Sequence, residues 1–137
     1  MGRITTSVRI ENVSDVSKGF SCDAVVDTGA SFMVLPSAWK GRLGRLGAAT
    51  EVEVETATQE IVRAEVYGPV RIQIEGFRLI FNEVAFVEMK PANGDFEPLI
   101  GYIVLEQSQA QVDMLSRRLV PVKHMDLRLR NKTSAQL

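Results

Sequence analysis

Residues 24–31 read Ala24-Val25-Val26-Asp27-Thr28-Gly29-Ala30-Ser31, a short apolar strand that runs into an acid, a hydroxyl and a glycine, and apolar residues Phe32 to Leu35 follow. On these residues alone two readings stand: a turn aspartate that caps a loop, with Thr28 and Gly29 as ordinary turn formers, or a carboxylate carried on a loop for chemistry. Outward from this stretch, period-two alternation dominates. Val8 and Ile10 flank Arg9, Val52 and Val54 alternate with Glu51, Glu53 and Glu55, and Val70, Ile72 and Ile74 alternate with Arg71 and Gln73. Such alternation marks half-buried strands. Ala24–Val26, Ile61–Tyr67, Leu79–Phe81 and Val84–Val87 are further β-rich runs, with turn chemistry at Gly68-Pro69, Glu75-Gly76 and Asn93-Gly94-Asp95. Helical patterning is confined to Ser37–Leu46, after Pro36, and Ile103–Gln109. Many short, closely spaced strands predict an all-β, mostly-β barrel or sandwich with one or two short helices.

The chain has 137 residues, which suits one compact domain. With 45% hydrophobic and 24% charged residues it has the balance of a soluble globular fold rather than a disordered chain. A formal net charge of −1, with acids and bases interspersed, offers no continuous basic field for a phosphate backbone, so nucleic acid is not an expected partner. The single cysteine, Cys22, forms no disulfide within the chain, and with the single histidine, His124, it supplies no zinc constellation. The start, MGRITTSVRIENVSD, carries no apolar secretory core, and no apolar run approaches the length of a membrane span; the expected location is the cytoplasm, with no membrane partner. From Lys123 to Leu137 the composition turns polar and basic, so the expected division is a folded domain over 1–122 and a tail over 123–137, in which Leu127 and Leu129 alternate with Arg128 and Arg130. Gly41, Gly44 and Gly47, interleaved with Arg42 and Arg45, do not match the spacing of phosphate-binding glycine loops and are expected to form a mobile surface connection.

The stretch at Asp27-Thr28-Gly29, continued by Ala30-Ser31, resembles the active-site signature of the aspartic peptidases, in their single-domain retroviral branch. Pro98-Leu99-Ile100-Gly101 resembles that family's second element, two apolar residues and a glycine, and Leu105-Glu106 the short helix after it. The strand-rich middle resembles a flap hairpin, and Val66-Tyr67-Gly68-Pro69-Val70 a turn of bacterial members, so the likeness spans roughly residues 5 to 121. The resemblance implies a closed, barrel-like retropepsin fold, homodimeric, with Asp27, Thr28 and Gly29 catalytic. Ala30, Ser31, Ala57, Thr58 and Gln59 would meet a bound peptide, and Ile100 and Gly101 would support the site from behind. It implies a peptide or protein substrate and no cofactor or metal.

The chemistry explains the motif. Hydrolysis by this route needs two carboxylates that share one proton, one acting as base toward a water and the other as acid toward the carbonyl oxygen. One chain offers a single Asp-Thr-Gly, so the second must come from an identical copy across a two-fold axis. Gly29 allows amide and carboxylate to approach closely, and Thr28, by the resemblance, bonds across the axis. Ala30 lacks the hydroxyl that would favour a charged aspartate, which predicts activity at less acidic pH than in the gastric enzymes. The flap departs from the family: its turn falls at Ala57-Thr58-Gln59-Glu60, without a tip glycine, and Glu53, Glu55, Glu60 and Glu65 make the hairpin acidic and solvent-facing. That departure leaves a second function class open, a catalytically silent dimerisation or peptide-binding module. An aspartate-nucleophile phosphatase would need an acid at position 29, where glycine stands. Cys22 is expected to be a small core residue, and Trp39 to cover a barrel end or an interface.

Overall fold

A computed structural model describes residues 3–47, 49–55, 59–91 and 94–122. Ala57, Thr58, Asn93 and the expected tail, with His124 and the Leu127–Arg130 alternation, lie outside the described residues. The strands are β1 (Thr5–Asn12), β2 (Gly19–Val26), β3 (Met33–Pro36), β4 (Thr50–Glu55), β5 (Ile61–Ile74), β6 (Leu79–Val87), β7 (Leu99–Ile100), β8 (Ala110–Asp113) and β9 (Arg118–Pro121). A 3-10 helix occupies Ser37–Leu43 and an α-helix, α1, Tyr102–Ser108.

The main sheet runs β1-β2-β7-β3-β6-β5-β4, and β1 also pairs with β5, which closes six of its strands into a barrel. Closure follows from the alternation: Val8, Ile10, Ile72 and Ile74 all point inward, and the register sets Ile10 opposite Ile72 and Val8 opposite Ile74. They join Met33, Leu35, Val84, Phe86, Ile100 and Val104 in one core. On the outside of the same seam, the Glu11 carboxylate accepts from Arg9 Nε at 2.7 Å and Arg71 Nε at 2.9 Å. These two hydrogen bonds, Arg9 first, hold it below its ordinary pKa of 4.5.

Two expected connections fold differently. Gly68-Pro69 is no turn between strands: β5 runs through it, and a bulge between Tyr67 and Val70 absorbs the missing proline donor. A Cβ at Gly68 would lie 2.8 Å from Glu83 Cα on β6, so the close approach needs glycine. The expected surface connection at Gly41–Gly47 is built instead of a 3-10 helix and a pinned exit, because the buried Asn12 donates through Nδ2 to the carbonyls of Leu43 and Arg45, each at 2.8 Å. Leu43 is fully buried beneath it. The hairpin β8–β9 forms a separate two-stranded sheet that packs Ala110 and Leu119 against the core.

Candidate active site

The β2 strand is held centrally, antiparallel to β1 and parallel to β7, and its last residue, Val26, hands the chain to Asp27. The Asp27 amide donates to Ile100 O at 2.9 Å, two residues after Val25 donates to Pro98 O at 2.8 Å. Pro98-Leu99-Ile100 therefore fixes the point at which the aspartate leaves the sheet. Asp27 Oδ1 accepts the Gly29 amide at 2.9 Å, and the Ala30 amide returns to Asp27 O at 3.1 Å. Asp27 is half-buried, while Thr28 and Gly29 beside it are exposed.

The loop is clamped from behind. At the start of α1 the amides of Tyr102 and Ile103 donate to the carbonyls of Ala30 (2.8 Å) and Ser31 (3.3 Å). These amides are among those a helix leaves unsatisfied within itself. Between them and the loop sits Gly101, fully buried; a Cβ there would come within 2.5 Å of the Ser31 carbonyl and closer still to Phe32 O. Ile100 is buried in the core below. Asp27, Thr28, Gly29, Ala30, Ser31, Ile100 and Gly101 are thus brought together by direct hydrogen bonds or packing.

The hairpin β4–β5 stands over a second apolar cluster, formed by Ala64, Val66, Ala85 and Val87 with half-buried Phe32, Val34, Val52, Val54 and Met89. Phe32 and Val34 directly follow the Asp27–Ser31 loop, which joins this apolar cluster to it along the chain; composition gave Phe32 and Met89 no special mark, and only their fold neighbours single them out. Glu51, Glu53 and Glu55 occupy the opposite, solvent face of β4. At the hairpin's tip Gln59 is exposed with φ of 65°, the left-handed region that favours glycine. At its root Lys40 Nζ donates to Glu65 Oε1 at 2.7 Å and to Tyr67 OH at 3.4 Å, joining the 3-10 helix to β5. Trp39 packs edge-on against Phe20 and Phe96, with centroids 5.4 and 5.9 Å away. Cys22 packs against the core, and burial, helped by Asp23, pushes its thiol up to about 11. That shift disfavours the thiolate a nucleophile requires.

This geometry has counterparts among known proteins. The model of the aspartyl protease family matches residues 8–104, the span that holds the Asp27-Thr28-Gly29 loop, the β4–β5 hairpin and Ile100-Gly101. The chain belongs to the aspartyl protease family. Among solved structures, the EIAV protease in complex with the inhibitor HBY-793 superposes on this aspartyl protease with a TM-score of 0.60 over 82% of this chain and 94% of that one, at 22% identity. That likeness shows the shared retropepsin fold. No curated protein sequence matches the chain. Among the described residues no helix is long and apolar enough to cross a membrane.

Proposed function

We propose that this aspartyl protease is an endopeptidase whose active form is a homodimer, with the two Asp27 carboxylates, one from each copy, activating the water that attacks a peptide bond. The observation that supports the reading is the placement of half-buried Asp27 by β2 and β7, beside exposed Thr28, with its Oδ1 accepting the Gly29 amide. In the dimer one carboxylate takes a proton from water as its oxygen bonds to the scissile carbonyl carbon, and the protonated partner gives its proton to the carbonyl oxygen. Collapse of the tetrahedral intermediate breaks the carbon–nitrogen bond: the proton held by the dyad goes to the leaving amine, and one hydroxyl of the intermediate returns its proton to the dyad as the new carbonyl forms. Thr28 of each copy bonds across the axis, and Ala30, Ser31 and the flap tip at Ala57, Thr58 and Gln59 contact the bound peptide. The wall of Phe32, Val34, Val52, Val54 and Met89 favours apolar substrate side chains. The peptidase domain spans 1–122, ahead of a basic tail over 123–137, and acts in the cytoplasm on peptide or protein.

One observation favours the second reading, a silent peptide-binding or dimerisation module: the flap tip places Gln59, not glycine, in a left-handed conformation. A peptide-library digest with the native protein and Asp27→Asn side by side decides between them. Cleavage by the native protein, slowed by roughly 10²–10⁴-fold in Asp27→Asn, supports the peptidase. Cleavage by neither supports the module, and equal cleavage by both removes Asp27 from the chemistry.

A further inference from the structure

Phe20 and Cys22 of β2 pack against the core, yet both stay half-buried. A groove of about 470 Å³ opens beside Cys22, between β2, the 3-10 helix and the segment that leads into Pro98; Cys22, Asp23, Trp39, Arg42, Asp95 and Phe96 line it. That volume falls within the range of small-ligand sites, ~300–1,000 Å³. Half-buried Trp39, edge-on to Phe20 and to Phe96, gives the groove an aromatic surface.

The charged groups of the groove are set apart from one another. The Arg42 guanidinium lies over Trp39, 4.6 Å from the ring centroid, and 5.7 Å from that of Phe20. A cation held over ring faces keeps its N–H groups for other acceptors. Among the described residues none of those donors meets a hydrogen-bond or ion-pair partner, although Asp23 and Asp95 line the same groove. These two carboxylates likewise accept no hydrogen bond from a described residue. Arg42 is nonetheless fixed in place, because the 3-10 helix that carries it is pinned just beyond it, where Asn12 holds the carbonyls of Leu43 and Arg45.

Three chemistries therefore meet in one small space. A free guanidinium edge suits a carboxylate, which it can bind through two parallel N–H donors. The faces of Trp39 and Phe96 suit an apolar or aromatic side chain. Asp23 and Asp95 suit N–H donors, and they weigh against a phosphate, whose higher negative charge they would repel more strongly. A bare cation is disfavoured in turn by Arg42, which already covers the indole. The last residues of a peptide chain carry all three complements within a few ångströms: a terminal carboxylate, a side chain and amide N–H groups.

We infer that the Trp39–Arg42 groove binds the C-terminal end of a short peptide with an apolar last residue, its carboxylate on Arg42, its side chain on Trp39 and Phe96, and its N–H groups toward Asp23 and Asp95. The products of peptide-bond hydrolysis belong to this class, yet the site stands or falls without the peptidase reading.

Fluorescence and calorimetry on the full chain test it, with the tripeptide Ala-Ala-Phe as free acid and as C-terminal amide. Trp39 is the one tryptophan of the chain, so its emission reports on the groove directly. The expected result is saturable binding of the acid with a shift in that emission, and binding of the amide weaker by about tenfold or more, the effect of one charge-assisted hydrogen bond. Arg42→Gln should bind acid and amide alike, while Asp27→Asn keeps the native preference. Equal binding of the two forms by the native protein, or no binding of the acid, overturns the inference and leaves the proposed function untouched. A preference for the acid that survives Arg42→Gln overturns it too, since the carboxylate then sits elsewhere. Should Arg42→Gln misfold, the emission of the native protein decides: a shift with the acid and not with the amide supports the site, and emission unmoved by bound acid refutes it.

Discussion

The Asp27 loop and the β4–β5 hairpin are joined in one barrel yet built on opposite principles. Around Asp27 nearly every backbone group is committed: Asp27 N to Ile100, Ala30 N to Asp27, and Ala30 O and Ser31 O to the first amides of α1. The hairpin β4–β5 is free on one edge, polar and acidic on one face, and anchored at its root through Lys40 and Glu65. The contrast is the one the proposed function requires: under that reading two carboxylates that share a proton tolerate little positional error, whereas a hairpin that admits and releases a peptide must move.

The largest effect should come from breaking the loop's rear support. Gly101→Ala places a methyl group within 2.5 Å of the Ser31 carbonyl, against backbone that is itself hydrogen-bonded to α1. Backbone has no rotamer with which to yield, so the expected destabilisation is about 3 kcal/mol in denaturant unfolding, with activity lost in parallel. Stability within about 0.5 kcal/mol of native would mean that the loop is looser than its hydrogen bonds indicate.

Next in size is Thr28→Val, which keeps the shape and removes the hydroxyl. If Thr28 bonds across the two-fold axis, two bonds are lost per dimer at ~1 kcal/mol each, a rise of roughly thirtyfold in the dimer dissociation constant. Monomer unfolding should hardly change, because the side chain is exposed in a single copy. An unchanged dissociation constant would place Thr28 outside the interface.

Ala30→Ser sharpens the comparison from within the loop. An added hydroxyl beside Asp27 favours the charged carboxylate. A group held ionised to lower pH keeps working at lower pH, so the acid limb of the pH–rate profile should move downward while the alkaline limb stays. Profiles that coincide would show that the position 30 side chain does not reach the carboxylate.

The two regions also differ in how far the sequence disclosed them. The juxtaposition of Asp27-Thr28-Gly29 with Ile100-Gly101 was legible because it rests on local features: an acid after a strand, and glycine where backbones meet. The alternation at Val8, Ile10, Val70, Ile72 and Ile74 disclosed the barrel for a similar reason, since burial on one face leaves a period of two. Features that depend on partners distant in the chain were not legible. Asn12 reads as a strand-end polar residue, yet its amide pins Leu43 and Arg45, more than thirty residues away. The β8–β9 hairpin, with four residues per strand, has too few alternations to be distinguished from a loop, and its base is secured by Ala110 and Leu119 packing on the core. Gly68-Pro69 carries turn chemistry, but pairing on both sides with β6 carries the strand through it.

The smallest effect belongs to the flap tip. Gln59 holds φ of 65°, which a side chain with a Cβ adopts at a cost of roughly 1–2 kcal/mol. Gln59→Gly removes that cost but adds freedom to the unfolded chain, so the expected net gain in stability is only about 0.5 kcal/mol. The informative readout is kinetic. If the strained residue limits opening and closing, the glycine variant should change kcat and KM together while stability barely moves. If both kinetic constants stay as in the native protein, the tip does not gate the cleft.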